Sequence, residues 1–254
     1  MKILIEKDYE TMSLRAAEIT AAEIKKRRRL VLGLATGSTP LGMYRKWIEL
    51  VKSGQLSFAE VTTFNLDEYL GLPADHPQSY HSFMQEQLFR HIDVKPDHTH
   101  IPNGVTPDAV KQCKEYERLI HQAGGIDIQI LGIGQNGHIG FNEPGEDFGA
   151  LTHVVRLQES TRKANARFFS RLEDVPTHAI TMGLKSIMNA RQVLLLAAGS
   201  DKSDAVYKAM YGEVTEQLPA SVLQLHPNCI FILDEAAVSN LPIDLTSGRW
   251  EMAK

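Results

Sequence analysis

The glycine-rich segment from Gly132 to Pro144 contains three polar groups that could carry out acid–base chemistry. Asn136, His138 and Glu143 bring an amide, an imidazole and a carboxylate within eight residues. An imidazole titrates near neutral pH and can both accept and donate a proton. A nearby carboxylate can orient and charge-balance it. The apolar run at 126–131 is typical of a buried strand, so the sequence predicts an acid–base site on a loop at a strand end.

The same glycines also match a nucleotide-binding pattern. The sequence Gly-Ile-Gly-Gln-Asn-Gly, which begins at Gly132, satisfies G-x-G-x-x-G after a strand. That fingerprint requires a helix to begin at its third glycine, because the helix N-terminus holds the pyrophosphate. Gly140 and Pro144 follow instead, and both oppose a helix. No acidic residue closes the next strand-like run, at 152–157. We therefore expect no nucleotide, and we expect no other cofactor.

Strand-like and helix-like segments alternate along the whole chain. Strands are predicted at 2–5, 30–35, 61–66, 126–131, 153–157, 178–182, 193–197 and 229–233, and helices at 8–26, 40–52, 78–91, 107–122, 160–170 and 201–211. Such alternation implies parallel strands joined by right-handed crossovers. The predicted fold class is α/β, with a doubly wound, mostly parallel Rossmann-like sheet, helices on both faces and a single domain over 1–254. The segment after Asn240 has little periodicity and is left unassigned.

Two further strand ends carry candidate binding or catalytic groups, since ligands of such sheets bind at the carboxyl ends of the strands. The strand at 30–35 leads into Thr36-Gly37-Ser38-Thr39-Pro40, where Gly37 allows close approach of an anion and Thr39 could cap a helix that starts at Pro40. Phosphate binding and an ordinary strand-to-helix turn both suit these residues. The strand at 61–66 leads into Asp67 and Glu68, whose side chains would point to opposite sides of the chain. Either one of the two carboxylates faces the cleft, or both form an ordinary solvated acidic pair at the surface.

Two cations later in the chain, Arg167 and Lys202, are interpreted as exposed helix charges or as phosphate ligands. The histidines lack a convincing ligand geometry, so no catalytic metal is expected. The chain has 254 residues, of which 43% are apolar, and this is enough for a substantial core.

Composition also bounds the environment of the chain. A formal net charge of -4 argues against nucleic-acid binding. Two distant cysteines, no apolar run of bilayer length and an early charged N-terminus favour a cytoplasmic protein without a membrane anchor.

Four motifs taken together resemble glucosamine-6-phosphate deaminase. They are LATGSTP from Leu34, FNLDEY from Phe64, GHIGFNEP from Gly137 and LQLHP from Leu223. They occur in order and with similar spacing, and the resemblance extends to about Asp234. It implies conversion of glucosamine 6-phosphate and water to fructose 6-phosphate and ammonia. The alternatives are a 6-phosphogluconolactonase-like hydrolase and a non-catalytic sugar-phosphate sensor.

The resemblance implies a role for each candidate residue. His138 would move protons during ring opening, with Glu143 orienting it and Asn136 holding the imidazole or the sugar. Asp67 would be the base that removes the C2 proton. The residues that match the phosphate-binding pattern of the family are Thr36, Gly37, Ser38, Thr39, Arg167 and Lys202.

The sequence departs from the family in two places. Many members have Asp where this chain has Asn136, which cannot add charge or share a proton. Hexameric members bind an N-acetylated effector through basic residues after the Glu-Pro loop, but this chain has His153-Val154-Val155 there, and Glu146 and Asp147 precede it. We therefore expect a non-allosteric enzyme and favour a monomer. Residues 143 to about 170 are a candidate lid, because glycines at 145 and 149 offer hinges.

Overall fold

The computed structural model describes residues 1–27, 29–241 and 250–253. The strands are β1 (Lys2–Glu6), β2 (Val31–Leu34), β3 (Thr62–Asn65), β4 (Asp67–Tyr69), β5 (Thr99–His100), β6 (Ile128–Leu131), β7 (His153–Arg156), β8 (His178–Thr181), β9 (Gln192–Ala197), β10 (Cys229–Asp234) and β11 (Trp250–Ala253). The α-helices are α1 (Tyr9–Lys26), α2 (Leu41–Lys52), α3 (Tyr80–Gln87), α4 (Ala109–Gln122), α5 (Glu159–Asn165), α6 (Leu184–Met188) and α7 (Ser203–Tyr211). No helix in these ranges has the length and apolar character needed to span a membrane.

The central sheet has eight strands in the order β11-β1-β10-β9-β6-β2-β3-β5. Seven of them run parallel, and β11 pairs antiparallel with β1 at the edge. Consecutive residues face opposite apolar layers: Leu195 belongs to the same buried cluster as Phe231 on one side, and Leu194 to the same cluster as Trp47 on the other. Helices cover both faces, since α1 and α2 join the second layer and α4 and α7 join the first. The predicted doubly wound, mostly parallel sheet is confirmed.

Two of the predicted strands do not belong to this sheet. β7 and β8 pair antiparallel with each other, and β8 also pairs antiparallel with β4, forming a small second sheet. Thr181 on β8 lies opposite both Asp67 and His153. The expectation of one parallel sheet was therefore wrong for β7 and β8. β4, an acidic three-residue strand directly after β3, pairs with β8 outside the central sheet.

Several element boundaries differ from the prediction. Thr39 was expected to cap α2, but Pro40 occupies the cap position with helical dihedral angles (φ -79°, ψ -8°), and no side chain caps this helix. α3 and α5 end earlier than predicted because each passes into a short 3₁₀ helix, at Phe89–His91 and Ala166–Phe168. β4, β5, α6 and β11 were not predicted. Of the unassigned tail after Asn240, residues 242–249 and 254 lie outside the described residues.

Candidate active site

The candidate residues gather at the carboxyl edge of the central sheet. In the order of the sheet, β9, β6, β2 and β3 are neighbours, and each is followed by one of the predicted polar segments. Those segments begin at Gly199, Gly132, Ala35 and Leu66. Parallel strands end at the same edge, so the topology brings distant sequence motifs together there.

The glycine loop, Gly132–Pro144, is a series of turns. Gly134 N–H donates to the His138 carbonyl at 2.9 Å, and Gly137 N–H donates to the Gly134 carbonyl at 3.0 Å. A Cβ atom at Gly134 would lie 2.2 to 2.5 Å from three atoms of the His138 ring, so the ring occupies the space that a side chain would need. Gly137 has φ +82°, which glycine adopts without strain. No helix starts within this loop, as its sequence indicated.

Asn136 connects His138 to Glu143. Its Oδ1 lies 2.6 Å from His138 Nδ1, and its Nδ2 donates to Glu143 Oε2 at 2.9 Å. Glu143 Oε2 is also 3.7 Å from His138 Nδ1. Because the Asn136 amide nitrogen faces a carboxylate, its oxygen is the acceptor and Nδ1 of His138 carries the hydrogen. This tautomer leaves Nε2 of His138 as the proton acceptor.

The surroundings of His138 favour the neutral imidazole. Burial lowers its pKa, the Glu143 carboxylate opposes this effect, and the charge of Lys202 adds to the lowering. The net shift is downward from the ordinary value of 6.5. A neutral imidazole with a free Nε2 is the form that can act as a general base.

Glu143 is 3% exposed, and both of its oxygens are hydrogen-bonded. Oε2 accepts from Asn136, and Oε1 accepts from the hydroxyl of Thr161 on α5. Thr161 was not among the predicted site residues. No signal in the local sequence identifies it, because the contact joins residues eighteen positions apart.

Asp67 is buried beside the glycine loop. It is 5% exposed, and a Cβ atom at Gly140 would lie 3.5 Å from Asp67 Oδ2. Burial raises the pKa of Asp67 to about 8, and the negative charge of Glu68 contributes to this rise. The alternative of a solvated acidic pair was wrong, since Glu68 is also buried.

Glu68 fixes the start of α3 against β4. Its carboxylate accepts hydrogen bonds from the backbone N–H groups of Tyr69, Tyr80 and His81 at 2.8 to 2.9 Å. These three donors satisfy the hydrogen-bonding capacity of a buried carboxylate. Glu68 therefore tethers the first turn of α3 to the strand that carries Asp67.

The Thr36–Thr39 loop is held by tyrosines from two helices. Tyr9 of α1 donates to the Ser38 carbonyl at 2.9 Å and accepts from Gly42 N–H at 2.7 Å. Tyr80 of α3 is hydrogen-bonded to the Thr36 side chain. Gly37 has φ +87°, and no atom lies within 4 Å of the position that its Cβ would occupy. The loop thus presents backbone at an open position, which suits an anion.

A cavity of about 220 Å³ adjoins this loop. Gly37, Ser79, Tyr80, Asn165 and Arg167 are among the residues that line it. Gly37 and Arg167 are thus brought together at one cavity, and phosphate binding there stays a prediction. A larger groove of about 470 Å³ lies between α1 and α2 and contains none of the candidate residues.

Lys202 lies near the glycine loop. Its Nζ is 3.4 Å from Asp201 Oδ2, which accepts from Gln135 Nε2 at 3.0 Å. Its charge lowers the pKa of His138. Among the described residues, no cluster of three or more histidine, cysteine or acidic side chains is arranged to hold a metal ion.

The fold and the site define an α/β protein with a candidate acid–base loop and a candidate anion-binding turn at the carboxyl edge of a parallel sheet. The chain belongs to the family described as glucosamine-6-phosphate isomerases/6-phosphogluconolactonase, whose model matches residues 7–231. The family resemblance inferred from the four motifs is confirmed.

Similar proteins match over nearly the full chain. Glucosamine-6-phosphate deaminase of Thermoanaerobacter pseudethanolicus is 54% identical over 242 residues, which cover 95% of this chain and 96% of that protein. The enzyme of the same name from Clostridioides difficile is 53% identical over 241 residues, covering 95% and 97%. A solved structure of a monomeric glucosamine-6-phosphate deaminase superposes with a TM-score of 0.92 at 49% identity, covering 94% of this chain and 99% of that one.

Proposed function

We propose that this chain converts glucosamine 6-phosphate and water to fructose 6-phosphate and ammonia. The observation that carries the proposal is the burial of Asp67 against the loop that carries His138, with a candidate anion site one strand away. Two acid–base groups of different kinds suit a reaction that moves protons at oxygen and then at carbon. Relatives that carry the deaminase name and are about half identical over nearly their whole length support the same activity.

Ring opening falls to His138. Its Nε2 takes the proton of the C1 hydroxyl, and the resulting imidazolium returns a proton to the ring oxygen as the C1–O5 bond breaks. Glu143 lies 3.7 Å from the ring and stabilises the positive charge while it exists. Asn136 keeps the imidazole in the tautomer that has Nε2 free.

Isomerisation falls to Asp67. The ionised carboxylate takes the C2 proton, the C2–H electron pair forms a C1=C2 double bond, and the C1=O π pair moves onto O1, which gives an enolamine. Asp67 then returns the proton to C1 as the nitrogen lone pair forms the C2=N bond, and a proton passes from nitrogen to O1. The C2 imine that results is hydrolysed, and ammonia leaves. A pKa of about 8 makes Asp67 a much stronger base than an ordinary carboxylate, while leaving a usable ionised fraction near neutral pH.

The phosphate group supplies binding energy that holds C1 and C2 in place. We assign it to the Thr36–Thr39 loop with Arg167 and Lys202. Gly37 and Arg167 line one cavity, and the charge of Lys202 reaches His138, so the sugar would extend from these phosphate ligands toward His138 and Asp67.

The same proposal includes a cytoplasmic, monomeric and non-allosteric enzyme that binds no nucleic acid. The solved relative is described as monomeric. At the position where the effector of other members would bind, His153 Nε2 lies 3.2 Å from Glu146 Oε2. A carboxylate there opposes a second phosphate site. The candidate lid at 143 to about 170 belongs to this proposal as well.

The test is to measure both products with the purified chain and glucosamine 6-phosphate. We expect ammonia and fructose 6-phosphate in equal amounts, a hyperbolic dependence on substrate, and no effect of the N-acetylated sugar phosphate. Saturable binding without product would point to a sensor. Solved 6-phosphogluconolactonases share the fold at 18 to 23% identity, so 6-phosphogluconolactone serves as the comparison substrate. A lactonase needs no C2 base and would survive Asp67→Asn.

A further inference from the structure

Thr161 completes the hydrogen bonding of the Glu143 carboxylate. It is 7% exposed, and its hydroxyl donates to Glu143 Oε1 while Asn136 donates to Oε2. The imidazole of His138 is linked to the other side of Asn136. The plane of the carboxylate is therefore set by two donors, one from the glycine loop and one from α5.

The segment that carries Thr161 also reaches the cavity next to the Thr36–Thr39 loop. α5 ends at Asn165, and the 3₁₀ helix Ala166–Phe168 continues it directly. Asn165 Nδ2 donates to the Tyr69 hydroxyl at 2.9 Å, and both Asn165 and Arg167 line the cavity. One short helical segment thus touches the acid–base group at its start and the candidate anion site at its end.

We propose that Thr161 is a positioning residue that couples occupation of the phosphate cavity to the orientation of the Glu143 carboxylate. An anion held by Arg167 orders the end of this segment, and the order extends along it to the hydroxyl of Thr161. Coupling of this kind is reciprocal, so loss of the Thr161 hydrogen bond also weakens anion binding at the far end. The inference rests on the proposed function for the use of Glu143 as the partner of His138.

The kinetic test compares Thr161→Val with Thr161→Ser. Valine keeps the shape of threonine but removes the donor, which leaves one oxygen of a buried carboxylate unpaired. We expect kcat for glucosamine 6-phosphate to fall roughly tenfold to a hundredfold, with a smaller rise in KM. Serine keeps the hydroxyl and should restore kcat to near the wild-type value. Ser160→Ala is the matched control, because Ser160 is the exposed neighbour on the same helix.

The binding test is independent of turnover. Calorimetric titration with inorganic phosphate should give an affinity about fivefold or more weaker for Thr161→Val than for the wild type. Thr161→Ser and Ser160→Ala should bind as the wild type does. If these differences in phosphate affinity are found but the wild-type chain releases no ammonia, the deaminase proposal is refuted and the coupling still stands.

Three results would overturn the inference. The first is a wild-type kcat in Thr161→Val. The second is equal impairment of Thr161→Val and Thr161→Ser, which would assign the effect to packing and not to the hydroxyl. The third is an unchanged phosphate affinity in Thr161→Val, which would separate the segment's two ends. Valine is isosteric with threonine, and circular dichroism of each variant establishes that it is folded before these comparisons are made.

Discussion

Asp67 and Glu68 are consecutive carboxylates on one short strand, and their surroundings differ sharply although both are buried. Glu68 accepts three backbone hydrogen bonds, which satisfy its carboxylate. Asp67 is placed in a desolvated position beside that charge, and its pKa rises to about 8. Side chains of neighbouring strand residues point to opposite faces, so these two adjacent carboxylates can have different roles. Glu68 holds the backbone, and Asp67 accepts a proton.

Asp67 should set the pH dependence of the reaction. Only the ionised carboxylate can take the C2 proton, so kcat/KM should rise with pH up to about 8. Asp67→Asn should lower kcat by about 10²- to 10⁴-fold. Steady-state ammonia release between pH 5 and 9 measures both effects. A flat wild-type profile between pH 6 and 8 would be incompatible with a base of this pKa.

The Asp67 carboxyl should also make the stability of the protein depend on pH. The folded pKa of about 8 lies above the ordinary value of 3.8, so the folded state binds more protons than the unfolded state between these values. The contribution to stability is complete below about pH 4 and is lost as the pH rises to about 8. Asp67→Asn removes this term, and the variant should gain stability relative to the wild type across that range. Urea unfolding of the wild type and of Asp67→Asn at pH 5 and pH 8 measures this effect. The same difference in free energy of unfolding between the two proteins at both pH values would contradict the raised pKa of Asp67.

Glu68→Gln tests the neighbouring charge. Without it, the pKa of Asp67 should fall, because the repulsion that contributes to its rise is gone. The rising limb of kcat/KM should therefore move to lower pH. The free energy of unfolding should fall by about 1–3 kcal/mol, because three backbone donors lose a charged acceptor.

Glu117→Gln is the matched control for this change. Glu117 accepts from the Thr152 N–H at 2.9 Å and from the Ser186 hydroxyl at 2.5 Å, so its loss also costs hydrogen bonds. Glu117 is not among the groups that raise the pKa of Asp67, so its change should leave the rising limb in place. Identical pH profiles for Glu68→Gln and Glu117→Gln would show that Glu68 acts on stability alone.

The central sheet could be predicted because its strands are buried on both faces and read as continuous apolar runs. β6 and β9 are such runs. The second sheet could not be predicted, because its strands pair residues that lie far apart in the sequence, near positions 67, 153 and 181. In addition, the acidic sequence of β4 does not indicate a strand. β5 has two residues, too few for a recognisable pattern.

The candidate site could be predicted in part for a similar physical reason. His138, Asn136 and Glu143 lie in one short loop, so the local sequence shows them together, and the strand-end rule indicated the segments of Gly37 and Asp67. Contacts between separate elements were missed. Examples are Thr161 with Glu143, Tyr80 with Thr36 and Tyr9 with Ser38.

Gly134→Ala tests the packing of the imidazole. The added Cβ would lie 2.2 to 2.5 Å from atoms of the His138 ring, so the ring must shift from its present position. Displacement of a catalytic group by about 1 Å can cost 10²-fold, and we expect a loss of kcat of roughly that size. Gly132→Ala is the control, because its Cβ would meet Thr39 Oγ1 at 3.8 Å, an ordinary contact. Equal losses of kcat in the two variants would show that the effect comes from the stiffness of the loop and not from displacement of the His138 ring.

Asn136→Asp tests the neutral amide of the acid–base network. An ionised aspartate cannot donate to Glu143 Oε2, so two carboxylates would meet at the distance of the present 2.9 Å hydrogen bond. Like charges this close raise the pKa of one carboxyl, and the added negative charge beside Nδ1 raises the pKa of His138. The lowered pKa of His138 in the present chain should therefore move upward, and the neutral base should form only at higher pH. NMR titration of the His138 Cε1–H measures this shift directly. Gln135→Glu places the same charge one residue away on an exposed side chain, where solvent and salt screen it, so it should move the titration far less. Equal shifts in the two variants would mean that His138 senses net charge, and that the Asn136 contact does not set its protonation.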